Sequence, residues 1–233
     1  MKNNILGLWN KIKTKTYKAL KPIIWLLKKT GITPNGLTTI GYLITVLSSI
    51  VLIVGAEFGS RNDFGYITWF GAITLFGGLF DMLDGQLARS TNKMTKFGAL
   101  YDSSLDRYGE MTMFLGICYY LISNHYFLSS LFAFIAMIGS IMISYIRARS
   151  EALGVDCKVG FMQRPERILT IGITAILYGV IFYFFGEFKV NVDWLPFPLI
   201  ENITVFTFPV FIMAILTNIT AIQRLNHSRK SML

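Results

Sequence analysis

Cysteine and histidine are scarce in this chain, two of each in 233 residues. Cys118 lies in an apolar run and Cys157 in a polar loop, which excludes a disulfide framework and leaves two reduced thiols with packing roles. His125 falls in a short turn and His227 in a basic tail, so histidine is not a candidate metal ligand or base. Charge is thin as well. Charged residues make up 15% of the chain and hydrophobic ones 53%, with a mean hydropathy of +0.53. That balance excludes an ordinary soluble domain and predicts an all-α, polytopic membrane protein. No sequence repeat, low-complexity tract or soluble second domain is visible. The basic N-terminus leads into an amphipathic stretch and lacks the short apolar core and cleavage site of a signal peptide. The expectation is a single membrane domain over residues 1–233, with an arm at 1–30 and a bundle at 35–224.

The charge that is present is unevenly placed. Eight lysines between Lys2 and Lys29 alternate with apolar residues at near-helical spacing, and Trp9 and Trp25 suit headgroup depth. An N-terminal interfacial amphipathic helix over 4–29 is predicted, with a soluble amphipathic arm as the alternative. Thr33 as N-cap and Pro34 at the first helical position then start a new helix. Six transmembrane helices are expected, near 35–56, 66–89, 97–122, 126–149, 164–186 and 204–224. The net charge of +9 collects in the N-terminal arm, at 89–96, around 147–167 and in the C-terminal tail. The other loops carry Glu57, Asp63, Glu187, Asp193 and Glu201. By the positive-inside tendency, both termini and the basic loops face the cytoplasm. This distribution fits a membrane and calls for no nucleic-acid partner.

Within this apolar chain, four aspartates lie close together on either side of the 90–96 turn. Asp81 and Asp84 are three residues apart and Asp102 and Asp106 four, so on two helices each pair shares one face. Unpaired carboxylates in hydrocarbon cost several kcal/mol each, so four of them converging calls for cations or water between them. Metal binding is the economical reading, and hard oxygen donors suit Mg²⁺ or Mn²⁺. An intramembrane cation or proton pathway is the competing reading of such acids. An aromatic prenyltransferase is another, although Leu79-Phe80-Asp81 lacks the asparagine its first motif usually carries.

The full pattern joins Asp81, Asp84, Gly85, Ala88, Arg89, Gly98, Asp102 and Asp106 at fixed separations across two helices. It resembles the signature of the CDP-alcohol phosphotransferase family at every fixed position. The resemblance implies a metal-dependent enzyme that transfers a phosphatidyl-type group from a CDP-lipid such as CDP-diacylglycerol to a polar alcohol, releasing CMP. It implies that Asp81, Asp84, Asp102 and Asp106 hold two Mg²⁺ or Mn²⁺ ions and that Asp106 is also the general base. CDP binding would fall to Asp81, Asp84, Gly85, Ala88, Arg89 and Gly98, with Thr33, Pro34 and Asn35 bordering the cytidine. A homodimer is the expected assembly.

The segments Ser144-Tyr145-Ile146-Arg147-Ala148-Arg149-Ser150-Glu151 and Gln163-Arg164-Pro165-Glu166-Arg167 look like those of phosphatidylinositol phosphate synthases. By that resemblance Arg147, Arg164, Arg167 and Arg224 form a pocket for the phosphate of inositol 1-phosphate. Glycerol 3-phosphate is the alternative acceptor, and positive-inside anchoring is the alternative role for these arginines. Arg107 and Glu110, three residues apart, are expected either to pair along their helix or to line the polar cavity.

Overall fold

The computed structural model describes residues 20–61, 63–191, 198 and 200–233. Helix α1 is described over 20–30, and six long helices follow: α2 (Pro34–Phe58), α3 (Phe64–Ser90), α4 (Lys96–Ser123), α5 (Phe127–Ala152), α6 (Arg164–Phe185) and α7 (Thr204–Met232). A two-residue antiparallel ladder, β1 (Lys189–Val190) with β2 (Ile200–Glu201), spans part of the connection between α6 and α7.

Helix starts follow local chemistry. Thr33 caps α2, its hydroxyl accepting from the Gly36 amide at 3.1 Å, and Pro34 occupies the first turn, where a missing N–H costs nothing. Asp63 caps α3 through the Gly65 amide at 3.0 Å, and Thr95 caps α4 through the Gly98 amide at 2.9 Å. The α3–α4 turn is closed by Asn92 in the left-handed region, at φ 53°.

Helix α2 packs on α3 and α4, α3 on α6, α4 on α5, and α5 and α6 on α7. Close approach depends on small residues. A Cβ added at Gly71 of α3 would stand 2.7 Å from the Ala175 Cβ of α6, and one at Gly41 of α2 would stand 2.9 Å from the Phe80 Cβ of α3. The interior is apolar around Leu52, Phe70, Phe114, Ile117, Ala136 and Met213, while large side chains such as Leu43, Phe76, Leu115 and Leu177 point outward. That is the surface of a multi-pass integral membrane protein.

Five of the six long helices are long and apolar enough to cross a membrane, against the six expected from sequence. The exception is α4, because Lys96, Asp102, Asp106, Arg107 and Glu110 interrupt its apolar character. The amphipathic arm over 4–29 is described only from residue 20, and Trp9 lies outside the described residues. Over 20–30 one face is covered: Leu20 and Ile24 are buried against Leu37, Leu83 and Leu87, while Trp25 is exposed beneath the Lys29 ammonium. Helix α7 continues two turns past the expected end at 224. Arg224 and Ser228 are buried there, Arg224 Nη1 donating to the Ile143 carbonyl at 2.8 Å and the Ser228 hydroxyl lying 2.6 Å from that of Ser150. At the other end of the bundle Arg61 donates to the Tyr126 hydroxyl at 3.1 Å and lies 3.5 Å from Glu201.

Candidate active site

The four aspartates lie where α2, α3, α4 and α6 meet. Asp84 is buried, and its Oδ2 accepts the Thr38 hydroxyl of α2 at 2.7 Å. Asp81 Oδ2 and Asp106 Oδ1 take the same nitrogen, Nη1 of Arg164, at 2.5 and 2.7 Å. One guanidinium from the first residue of α6 therefore ties α3 to α4. As the side chains lie, no three His, Cys, Asp or Glu residues among those described form a ready-made metal site. Thr38 engages Asp84, and Arg164 occupies the space between Asp81 and Asp106. The donor set nonetheless fits a hard divalent cation: it is all carboxylate oxygen, and Asp81 and Asp106 already close on one positively charged atom.

Two cavities flank this cluster. The smaller, about 190 Å³, lies between the start of α2, the end of α3 and the start of α4. Of the residues assigned to CDP from sequence, Pro34, Asn35, Asp84, Gly85, Ala88, Arg89 and Gly98 line it, joined by Asp102. Thr33 stays outside as the α2 cap, and Asp81 faces the narrow gap that Arg164 fills. Gly98 has a steric reason: a Cβ there would stand 3.2 Å from Asn35 Oδ1 and 3.0 Å from Thr95 Oγ1. At Gly85 an added Cβ would meet only the Arg89 side chain, at 3.5 Å, so that position leaves the cavity wall low.

The larger cavity, about 400 Å³, is walled by α4, α5, α6 and α7 and contains Arg147, Arg164, Arg167 and Arg224, all four arginines assigned to the acceptor. Arg107, Asp106, Glu110 and Glu151 complete its charged lining. All four of those arginines are engaged within the chain, Arg164 with Asp81 and Asp106 as described above. Arg147 Nε pairs with Glu151 Oε1 at 2.9 Å. Arg167, 1% exposed, makes a two-pronged contact with Glu110 at 2.5 and 2.8 Å and donates to the Met162 carbonyl at 2.9 Å. Arg224 donates to the carbonyls of Val159 and Ile143, each at 2.8 Å. Arg107 does not pair with Glu110; its Nη1 donates to the Ser103 carbonyl at 3.1 Å.

One site residue went unread in the sequence. Thr38 falls one turn past Pro34 and three residues past Asn35, so the helical periodicity already set it on their face. Glu110 lines the larger cavity, one of the two roles expected for it, but its partner Arg167 lies 57 residues away and no local spacing announces it.

The arrangement is suited to transfer between two ligands. Asp102 faces the smaller cavity and Asp106 the larger one, a single turn apart on the same face of α4. A group held by the first cavity would be presented to a molecule in the second across the carboxylate cluster.

The sequence profile described as CDP-alcohol phosphatidyltransferase matches residues 31–216. The chain is 34% identical over 226 residues to the archaetidylinositol phosphate synthase of Pyrococcus horikoshii, covering 95% of this chain and 96% of that protein. It is 32% identical over 163 residues to a phosphatidylinositol phosphate synthase of Mycobacteroides abscessus, 70% of each chain. Among solved structures, the Mycobacterium tuberculosis phosphatidylinositol phosphate synthase with CDP-DAG bound superposes with a TM-score of 0.69 at 27% identity, covering 89% of this chain and 92% of that one. The same enzyme in complex with manganese and citrate gives 0.67, covering 89% and 87%.

Proposed function

Because the chain belongs to the CDP-alcohol phosphatidyltransferase family, and is therefore an enzyme, we propose that it transfers a phosphatidyl-type group from a CDP-lipid to inositol 1-phosphate and releases CMP. The acceptor hydroxyl attacks the β-phosphorus, a new P–O bond forms, and the bond to CMP breaks. Asp106 takes the hydroxyl proton. Asp81, Asp84, Asp102 and Asp106 would hold Mg²⁺ or Mn²⁺, two ions in our reading, and the metal would offset the charge of the diphosphate. Thr38 fixes the orientation of Asp84. Pro34, Asn35, Gly85, Ala88, Arg89 and Gly98 shape the nucleotide side.

Arg147 and Arg164 make the acceptor contacts, while Arg167 and Arg224, held by Glu110 and by carbonyls, add positive potential from the wall. The observation that carries the reading is the one-turn offset of Asp102 and Asp106 between the cleft lined by the signature residues of α3 and α4 and an arginine-rich cavity. The named relatives are synthases of inositol phosphate lipids, archaetidyl in one and phosphatidyl in the other, which supports the acceptor more than the donor.

We place α4 as a sixth span, since its charged residues face the two cavities while Leu115 and Ile122 face outward. The clefts then open on the side that carries Arg89, Lys93, Arg147, Arg149 and Arg229, which the positive-inside tendency makes cytoplasmic, with the N-terminal arm lying on that leaflet and the whole chain acting as one domain. A homodimer is part of the same proposal, on family resemblance.

The test is CMP release by the purified protein with Mg²⁺ or Mn²⁺. Donors are CDP-diacylglycerol and its ether-lipid counterpart; acceptors are inositol 1-phosphate, inositol, glycerol 3-phosphate and serine. Release with inositol 1-phosphate alone supports the reading, and release with glycerol 3-phosphate instead replaces the acceptor. Metal flux across liposomes with no CMP from any combination would turn the assignment to cation transport.

A further inference from the structure

Resting on the metal and acceptor reading just given, we propose that Arg164 is an exchangeable counter-ion: its guanidinium neutralises Asp81 and Asp106 until a divalent cation takes them, and is then released to the acceptor's phosphate. Metal loading would thus create part of the acceptor site, and the acceptor would follow the metal.

Three observations carry this. The first is position. A single nitrogen, Nη1, lies 2.5 Å from Asp81 Oδ2 and 2.7 Å from Asp106 Oδ1. An ion bridging these two carboxylates, at about 2.0–2.1 Å from each oxygen for Mg²⁺, needs the volume that nitrogen fills. Guanidinium and cation exclude one another there.

The second is freedom to leave. Arg167 and Arg224 are 1% and 2% exposed and are also held by backbone carbonyls, whereas the Arg164 side chain is 25% exposed and its hydrogen bonds go to a carboxylate. Its Nε has no hydrogen-bond partner among the described residues. Replacing it with a stronger positive charge removes its hold, whereas the other two would keep their carbonyls. Arg164 is also the first residue of α6 and borders both the large cavity and the narrow gap beside Asp81. The side chain can swing between them without moving the helix.

The third is charge. One guanidinium offsets half of the two carboxylates, so a divalent cation satisfies the pair fully and leaves the arginine uncompensated at the rim of a cavity whose other arginines are already engaged. An anion with several oxygens, such as a phosphate monoester, answers that charge. By linkage, phosphate and metal must then tighten one another's binding by the same factor.

The experiment uses full-length protein in detergent or nanodiscs, with Mn²⁺ binding followed by EPR and unfolding by thermal shift. Arg164→Gln is expected to bind Mn²⁺ at least tenfold more tightly than wild type. It should unfold at lower temperature than wild type in EDTA and at the same temperature in saturating Mn²⁺. Inorganic phosphate should tighten Mn²⁺ binding several-fold in wild type and leave Arg164→Gln unchanged. Unaltered Mn²⁺ affinity, or an equal thermal deficit with and without Mn²⁺, would show that Arg164 stays on the carboxylates and would overturn the exchange. If Arg164→Gln does not yield folded protein, wild type alone decides: phosphate that fails to tighten Mn²⁺ binding overturns the proposal. Asp102→Asn separates the premise from the inference. Wild type that does not bind Mn²⁺, or Asp102→Asn that binds it normally, sinks the metal reading and the exchange with it. Loss of Mn²⁺ in Asp102→Asn with no Arg164 effect sinks the exchange alone.

Discussion

The Glu110–Arg167 pair offers the sharpest test of the larger cavity, because its stability effect can be sized from geometry. Both side chains are nearly solvent-free, 4% and 1% exposed, and two nitrogens of Arg167 meet the two oxygens of Glu110 at 2.5 and 2.8 Å. Glu110→Gln keeps the shape and removes the negative charge, leaving the buried guanidinium with neutral acceptors alone, the glutamine amide oxygen and the Met162 carbonyl, and turning the other carboxylate oxygen into an NH2 group that faces a donor. Breaking a buried pair from one side costs about 3–5 kcal/mol, because the orphaned charge stays desolvated. For a chain of this size each kcal/mol shifts the Tm by about 2–4 °C, so the drop should be on the order of 10 °C. Arg167→Met should fall comparably. The double variant Glu110→Met/Arg167→Met should recover most of the loss, since it buries no charge. Thermal unfolding of the four proteins in one detergent provides the readout. Single variants within about 2 °C of wild type, or a double variant that sums the two losses, would refute the claim that this pair braces α4 against α6.

Asp106→Asn should abolish CMP release and leave CDP-lipid binding close to wild type; near-normal turnover would remove Asp106 from the base role. Thr38→Val, which keeps the shape but deletes the hydrogen bond to Asp84, should weaken divalent-ion activation by about 10–100-fold, with Thr38→Ser nearly normal. An activation curve that matches wild type for Thr38→Val would show that Asp84 needs no such support. Gly98→Ala presses a methyl group towards Asn35 and Thr95, so the donor KM should rise several-fold with the acceptor KM unchanged, and a steady-state comparison in which both move equally would contradict the assignment of that cleft.

Much of the architecture was legible because it depends on local chemistry. The Thr33-Pro34 start, the Asp81 to Asp106 spacing and the apolar runs each act within a few turns, and the corresponding helices begin within a few residues of expectation. Less local features were not. Arg224 was expected at the end of the last span and in the acceptor pocket, but the Val159 and Ile143 carbonyls that hold it, and the Ser150 hydroxyl that meets Ser228 one turn further along α7, lie on other segments. The arginines near 147–167 could be counted in the sequence, and Glu151 lies within helical reach of Arg147, but the engagement of Arg167 with Glu110 and of Arg164 with Asp81 could not be read, since those partners lie 57 and 83 residues away. The same limit applies to α4. Its charged residues follow from the chemistry of the cavities, and they are what set it apart from the five apolar helices.

The close crossing of α3 and α6 at Gly71 and Ala175 also has a mechanical side. Asp81 lies ten residues beyond Gly71 and Arg164 eleven residues before Ala175, so each charged group rides on a lever arm of about 15 Å from a common fulcrum. A change of about 5° in the crossing angle would move either tip by roughly 1 Å, enough to break a contact of the length seen between Arg164 and Asp81. Packing against neighbouring helices sets helix tilt, so this crossing, two turns into α3 and midway along α6, also sets how far apart the two charged groups are held.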